Sequence, residues 1–394
     1  MSAPRTPSQP LPWLALLAIV VVALNLRPIL AATGPLLDTI QASTGLSDRQ
    51  AGLMTTLPIF VMGLCALLAA PLQRWLGGRW GITLGALVIA VACAGRWLWP
   101  NAGSLIATAV LSGLGIALVQ ALMPSVIKDQ FGNRAGMLMG LYSTGIMGGA
   151  AFAAALTPGL AQRLDWSAAQ ALWALPAVAA ALLWWWQAQP RQSQVAARVQ
   201  EPAATPVWRS RRAWLLMLFF GIGTGAYTLV LAWLAPYYMQ LGWSSTQSGF
   251  LLAGISVGEV CAGLLVSLFI ARFPDRRPLL LLVLGLIALA LLGLLLMPLA
   301  GVVPITLLLS LGIGALFPLS LIITLDHARS PQHAGALLGF VQGGGYMLSS
   351  VMPLVAGLLR GGGGGLQLAW AIMIAGCVVL ALMAWRFKPL NPAG

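Results

Sequence analysis

Charge is what this chain lacks. Of 394 residues only 7% are charged, eight of them Asp or Glu, and there are two His. A soluble globular chain carries about 25% charged residues, so this one cannot cover a water-facing surface of ordinary size. With 59% hydrophobic residues, its main surroundings are expected to be a lipid bilayer. Cysteine is also scarce. Cys65, Cys93, Cys261 and Cys377 each fall inside an apolar run without a CxxC partner, which argues against a disulfide framework or a metal site and reads them as small packing residues. There is no HExxH, no phosphate loop and no nucleophile–base pattern, so no enzyme, cofactor or metal is expected. His327 and His333 read as groups near the surface, not as metal ligands. The first apolar run follows a short Pro-rich tail without a small-residue cleavage site, so it is expected to remain as a membrane span.

What the chain has is long hydrophobic runs. They fall at 12–37, 50–73, 79–99, 104–127, 135–160 and 168–187, then at 213–239, 247–271, 278–300, 302–325, 334–359 and 366–386. The pattern predicts an all-α integral membrane protein of twelve transmembrane helices in two sets of six. An N-terminal bundle would occupy 1–187 and a C-terminal bundle 213–394. The stretch 188–212, rich in Pro, Gln and Arg, would be a solvated linker between them.

The basic residues set an orientation. With the N-terminus inside, sixteen of them fall on cytoplasmic segments, including Arg74, Arg79, Lys128, Arg134, Arg272, Arg276, Arg277 and Arg386. Only Arg49, Arg96, Arg163 and Arg360 fall outside. Both termini and the linker are therefore expected in the cytoplasm. The net charge of +13 is then a topology signal and not a nucleic-acid surface.

The two sets repeat. Gly45-Leu46-Ser47-Asp48-Arg49-Gln50-Ala51-Gly52-Leu53 matches Gly242-Trp243-Ser244-Ser245-Thr246-Gln247-Ser248-Gly249-Phe250. Ala135-Gly136-Met137-Leu138-Met139-Gly140-Leu141 matches Ala334-Gly335-Ala336-Leu337-Leu338-Gly339-Phe340 at nearly the same offset. Six spans preserve direction through the membrane, so the repeat is parallel. Two such halves joined by a cytoplasmic linker are the architecture of the major facilitator fold, in which a substrate site lies at the midplane between halves.

Two charges fall deep inside spans. Arg27 stands about fourteen residues into the first run, near mid-bilayer at about 1.5 Å of rise per residue. A guanidinium there costs at least about 2.5–3.5 kcal/mol on insertion, and its fork of donors suits an anion. Pro28 follows it and deprives the Leu24 carbonyl of its helical partner, which permits a kink beside the charge. Glu259 is the second deep charge. It shares a helical face with Ser256, Gly263 and Ser267, so it is expected to face the protein interior and either carry a coupling proton or pair statically with Arg27. Uncharged polar residues deep in spans form the next tier: Asn25, Thr55, Gln120, Tyr142, Ser143, Tyr227 and Gln342. Any of them can orient a small ligand, or simply hydrogen-bond a neighbouring helix.

Further expectations attach to the helix ends. Gly140, Gly145, Gly148 and Gly149, like Gly339, Gly343, Gly344 and Gly345, should allow close helix packing. Arg96, followed by Trp97 and Trp99, reads as an interfacial arginine in an aromatic belt, and Trp184-Trp185-Trp186 reads as a second belt. The groups Lys128, Asp129, Arg134 and Arg272, Asp275, Arg276, Arg277 are expected to latch neighbouring helices at the cytoplasmic ends in the outward-open state and to release in the other.

Asn25-Leu26-Arg27-Pro28 followed by Gly34-Pro35-Leu36-Leu37 resembles the first helix of the bacterial cyanate transporter family. So do Met123-Pro124-Ser125-Val126-Ile127-Lys128, Trp173-Ala174-Leu175-Pro176-Ala177-Val178 and Leu325-Asp326-His327. A sister branch that exports 2-nitroimidazoles is similar in the first-span arginine and in Thr55-Thr56-Leu57-Pro58. Two positions depart from the pattern. Gln73 precedes Arg74 where the general facilitator loop has Asp, and Glu259 stands where the resembling transporters carry an uncharged amide. The resemblance implies a monomeric secondary transporter in the bacterial inner membrane, moving a small, cyanate-like monovalent anion by alternating access, with proton coupling. An exporter of nitroimidazole-like molecules is the alternative. Arg27 would hold the anion, with Asn25, Gln120, Tyr227, Gln342, Thr55 and Tyr142 around it and Glu259 carrying the proton.

Overall fold

The structure, a computed structural model, describes residues 13–187, 206–328 and 330–387, and it is helical throughout. The first set comprises α1 (Trp13–Thr44), α2 (Asp48–Leu67), α3 (Pro71–Leu98), α4 (Ala102–Phe131), α5 (Ala135–Arg163) and α6 (Trp166–Gln187). The second comprises α7 (Arg211–Gln240), α8 (Ser245–Arg272), α9 (Arg277–Leu296), α10 (Val302–Asp326), α11 (Pro331–Ser349 continued by Val351–Gly361) and α12 (Gly365–Ala384). Eleven of these, among the described residues, are long and apolar enough to cross a membrane, and the divided α11 makes the twelfth. The expected linker lies outside the described residues over 188–205, and α7 starts at Arg211, two residues earlier than expected. Ser210 explains the earlier start, because its hydroxyl accepts from the Ala213 N–H as an N-cap.

The repeated sequence folds into a repeated cap. Ser47 accepts from the Gln50 N–H and its own N–H is met by the Gln50 side chain; Ser244 and Gln247 do the same at α8. Each capping box satisfies donors that the first helical turn leaves open. Gly45 and Gly242 precede the two boxes with φ of 68° and 94°, a backbone region that glycine enters without strain.

Inside the first set, α4 packs on α2 and α3, α3 on α6, and α1 on α5; in the second, α10 packs on α8 and α9, α7 on α11, and α9 on α12. The sets meet along α5 with α8, α2 with α11 and α1 with α7. Glycines let the backbones touch there. A Cβ on Gly63 would lie 2.6 Å from the Gly343 carbonyl oxygen, one on Gly52 2.8 Å from that of Pro353, and one on Gly249 would overlap the Ala154 carbonyl. Gly140 and Gly339 differ from the expected packing role, since nothing lies within 4 Å of a Cβ at either.

Two other expectations are corrected. Trp184 is no belt residue: it is fully buried and donates its indole N–H to the Gly78 carbonyl at 3.3 Å, while Trp186 stays exposed. Cys65, Cys93 and Cys377 are buried as packing residues, whereas Cys261 is exposed on α8.

Candidate functional site

The site begins with a broken helix. The first segment of α1 ends at Leu24, and a short helix restarts at Pro28–Ala31. Pro28 offers no N–H to the Leu24 carbonyl, and the Asn25 and Leu26 N–H groups shorten their reach to Val22 and Ala23. The Val21 carbonyl then accepts from the Asn25 side-chain amide at 2.7 Å. Asn25 therefore seals the break it stands in and does not line the cavity. On α5, Gly149 sits directly against the freed Leu24 carbonyl, where any Cβ would overlap it. The break turns Arg27 inward.

A cavity of about 680 Å³ opens beside it, lined by α1, α2, α4 and α5 of the first set and α7, α8, α10 and α11 of the second. The helices α6, α9 and α12 contribute none of its lining, and α3 only Ala69, where its helical backbone begins just ahead of Pro71. It extends from Arg27 toward Gly136 and Gly335, at the end of the molecule that carries the loops with Arg74, Arg134 and Arg272–Arg277. Of the residues expected at the site, the cavity gathers Arg27, Gln120, Tyr142, Tyr227, Gln342 and Glu259, with Ser143. Thr55 is buried but is not among the lining residues.

Arg27 is 5% exposed, and no carboxylate lies within 4.0 Å of it among the described residues. Its Nη1 reaches the Met62 sulfur at 4.0 Å, and its guanidinium carbon lies 5.7 Å from the centre of the Tyr227 ring, within cation–π range. The hydroxyls of Tyr142 and Tyr227 are buried without a hydrogen-bond partner, as is Arg27 Nε. Two hydroxyls and a guanidinium lining one cavity are donors suited to an acceptor or an anion. Glu259 lines the same cavity from the second set, 6% exposed. Its backbone is gripped by Gly314 of α10, whose Cβ would fall 2.5 Å from the Glu259 Cα. Of the two roles left open for Glu259, the direct pair with Arg27 does not form, although Glu259 lies within range of that charge, as do Tyr142, Tyr227 and Tyr346.

Sequence reasoning missed Met62 and Tyr346. Met62 is apolar in an apolar run and carries no signal of its own. Tyr346 follows Gly343-Gly344-Gly345, and the glycines that draw Phe220 and Met217 close to α11 were the available hint.

Arg96 overturns its expected place in an aromatic belt. It is 1% exposed, and its Nη1 lies 3.0 Å from the Ile29 carbonyl, 3.0 Å from Thr33 Oγ1 and 2.9 Å from Gln170 Oε1. The supposed interfacial arginine is a buried tie between α1, α3 and α6. Of the expected charge latches, Arg276 with Asp326 joins neighbouring helices, while Asp275 pairs locally. Asp275 pairs with Arg277 only two residues away at 2.7 Å, and Arg276 reaches Asp326 of α10 at 3.3 Å, both within the second set. The hydrogen bonds from Arg277 hold the Asp275 carboxyl below its ordinary range. His327 is tied at both ring nitrogens: its Nε2 meets Arg212 at 2.8 Å and its Nδ1 meets the Ile323 carbonyl at 2.8 Å.

The end opposite the basic loops is closed. Arg360 of α11 bridges Asp38 at 3.0 Å and Asp48 at 3.4 Å in the first set and stacks over Trp233. Pro353 withholds an N–H from the Ser349 carbonyl, which accepts instead from Thr228 of α7 at 3.0 Å. Thr56 of α2 donates to the neighbouring Ser350 carbonyl at 2.7 Å. The break in α11 is thus stitched by one threonine from each set.

Two repeated six-helix sets, sealed at one end and enclosing a central charged cavity, define a membrane transporter. The chain belongs to the Major Facilitator Superfamily, whose sequence model matches residues 15–342 and 240–394. It is a secondary transporter and not an enzyme. It is 38% identical over 379 residues to the cyanate transport protein CynX of Escherichia coli (strain K12), covering 95% of this chain and 97% of that protein. To the 2-nitroimidazole transporter of the same organism it is 31% identical over 368 residues, covering 93% and 92%. Its fold is similar to the crystal structure of a D-xylose-proton symporter, with a TM-score of 0.78 at 15% identity, covering 96% of this chain and 98% of that one.

Proposed function

We propose that this transporter carries a small monovalent anion across a bacterial inner membrane by alternating access, with Arg27 as the anion's counter-charge. The observation that carries the reading is Arg27 itself, buried in the cavity wall without a carboxylate within 4.0 Å among the described residues. The open hydroxyls of Tyr142 and Tyr227 would donate to the same anion, and Gln120 and Gln342 would orient it from opposite halves. Cyanate is the leading candidate, since one relative, 38% identical, is a cyanate transport protein. The excess of basic residues on the loops at the open end of the cavity supports a cytoplasmic position for that end. A monomer suffices, because one chain supplies both walls.

Proton coupling follows from charge. Moving a monoanion into a negative interior costs about 2.3 kcal/mol per 100 mV, and one accompanying proton cancels that charge. Glu259 is the carboxylate that lines the cavity, and protonating it removes the negative charge that would oppose an anion beside Arg27. A second reading, export of nitroimidazole-like molecules, draws on the cavity's size. About 680 Å³ exceeds what a three-atom anion fills, and Phe220, Phe317 and Tyr346 give it aromatic walls. Counterflow of labelled cyanate in liposomes, with Arg27→Ala as the control, separates the two. Saturable exchange lost in Arg27→Ala supports the anion reading; resistance to nitroimidazoles with no cyanate exchange sinks it.

A further inference from the structure

We infer that Arg96 is the positioning residue that holds Arg27 in the cavity wall, an inference that rests on Arg27 being the anion's counter-charge. Arg96 stands near the outer end of α3, yet it is almost wholly buried and has no carboxylate within 4.0 Å among the described residues. Burying a guanidinium without a counter-ion is costly, and an apolar side chain of similar volume would fill the space more cheaply. Its partners indicate what the charge achieves.

The short helix Pro28–Ala31 ends irregularly. The Thr33 N–H turns to the Leu30 carbonyl at 3.3 Å, so the Ile29 carbonyl accepts from side chains instead. Thr33 Oγ1 donates to it at 3.0 Å, and so does Arg96 Nη1. The same Nη1 group bonds Thr33 Oγ1 and, across the bundle, Gln170 of α6. Arg96 therefore clamps the backbone two residues beyond Arg27 to α3 and α6 together. On the other side of the break, Gly149 of α5 is pressed against the Leu24 carbonyl. Arg27 lies between these two anchors at the start of a single helical turn, its carbonyl accepting from the Leu30 and Ala31 N–H groups at 3.1 and 3.0 Å. Rotation of Pro28–Ala31 about its axis would swing the guanidinium out of the cavity, and the Arg96 clamp opposes that rotation. A displacement of about 1 Å at such a group is enough to lose most of its effect on a bound ligand.

The test reads the position of residue 27 without needing a substrate. In a chain whose four native cysteines are replaced by serine, Arg27→Cys is labelled by a small, charged thiosulfonate that enters the cavity. Adding Arg96→Gln is expected to slow that labelling about five-fold or more. Arg96→Lys, which keeps a donor and the charge, should restore part of the rate. Labelling of Leu338→Cys, on the opposite cavity wall, should stay unchanged. Should Arg96→Gln fail to fold, Thr33→Val and Gln170→Leu loosen the clamp one acceptor at a time and should each slow labelling in smaller steps. A labelling rate at residue 27 indifferent to all of these, in folded protein, overturns the inference and leaves Arg96 as a packing tie. Cyanate binding to Arg27→Ala, followed by thermal shift, is the separate arm. If that variant binds cyanate as the parent does while labelling still responds to Arg96, the site reading fails and the positioning role stands.

Discussion

Arg360 and Asp38 join the two halves of this transporter at the end where the cavity is shut, their charged atoms 3.0 Å apart. Asp48 shares the same guanidinium, and Gly357, one turn earlier on α11, lies against the Asp48 carbonyl. These contacts belong to one conformation, since the halves must part here for the other side to open. Partly exposed ion pairs contribute roughly 0.2–1 kcal/mol each, so losing the shared cation should shift the balance toward the opposite opening by about five-fold. Arg360→Gln should therefore raise the reactivity of cysteines placed on the cavity's sealed side, and distances between spin labels on α2 and α11 should lengthen. Unchanged distances would mean that the glycine contacts alone close this end.

The kink in α1 depends on a residue of another helix. Gly149 leaves room for the Leu24 carbonyl that Pro28 strands, and a methyl group there would overlap it. Gly149→Ala should destabilise the protein by about 1–3 kcal/mol, the range for overpacking a tight contact. Gly140→Ala on the same helix meets nothing within 4 Å and should melt as the parent does. Thermal unfolding of the two variants side by side checks this. Equal melting temperatures would show that α1 and α5 separate at no cost.

How much of this was legible beforehand depended on whether a residue announces itself against its neighbours. Arg27 and Glu259 did, as charges in apolar runs, and the paired Gly-x-Ser motifs gave the repeat that carries the fold. Asn25 announced itself too, but its partner is the Val21 carbonyl four residues back, a local bond that side-chain type cannot distinguish from a ligand contact. Arg96 was misread because its surroundings, Trp97 and Trp99, are what an interfacial arginine also has. Its true partners, Thr33 and Gln170, lie more than sixty residues away on either side, and only folding brings them together. Trp184 misled in the same way, since two of three consecutive tryptophans can face lipid while the helical turn sends the other inward.

If the two halves are one structure used twice, they should respond alike to the same lesion. Ser47→Ala and Ser244→Ala each remove the acceptor of a capping box, and the two serines have nearly the same backbone angles, φ −73° and ψ 160° against φ −72° and ψ 159°. Each should cost about 1 kcal/mol, and the double variant about twice that, because the sites share no partner. Chemical or thermal unfolding in detergent measures it. A large effect in one half alone would mean that the halves unfold independently, with only one of them limiting stability.

Glu259 should make anion binding depend on pH, and the sign follows from charge. The carboxylate and Arg27 face one cavity without pairing directly, so an ionised Glu259 competes with an incoming anion for the arginine's field. Acidification protonates Glu259, frees that field and should tighten binding; raising the pH should weaken it. Glu259→Gln holds the group neutral throughout, so its affinity should match the acidic parent and stay flat across the range. Repeating the titration of cyanate by thermal shift from mildly acidic to mildly alkaline buffer tests both halves of the claim. In liposomes the same variant should still exchange cyanate across the membrane at equal concentrations yet fail to accumulate it when the outside is made acidic. Accumulation driven by that gradient in Glu259→Gln would place the coupling proton on some other group.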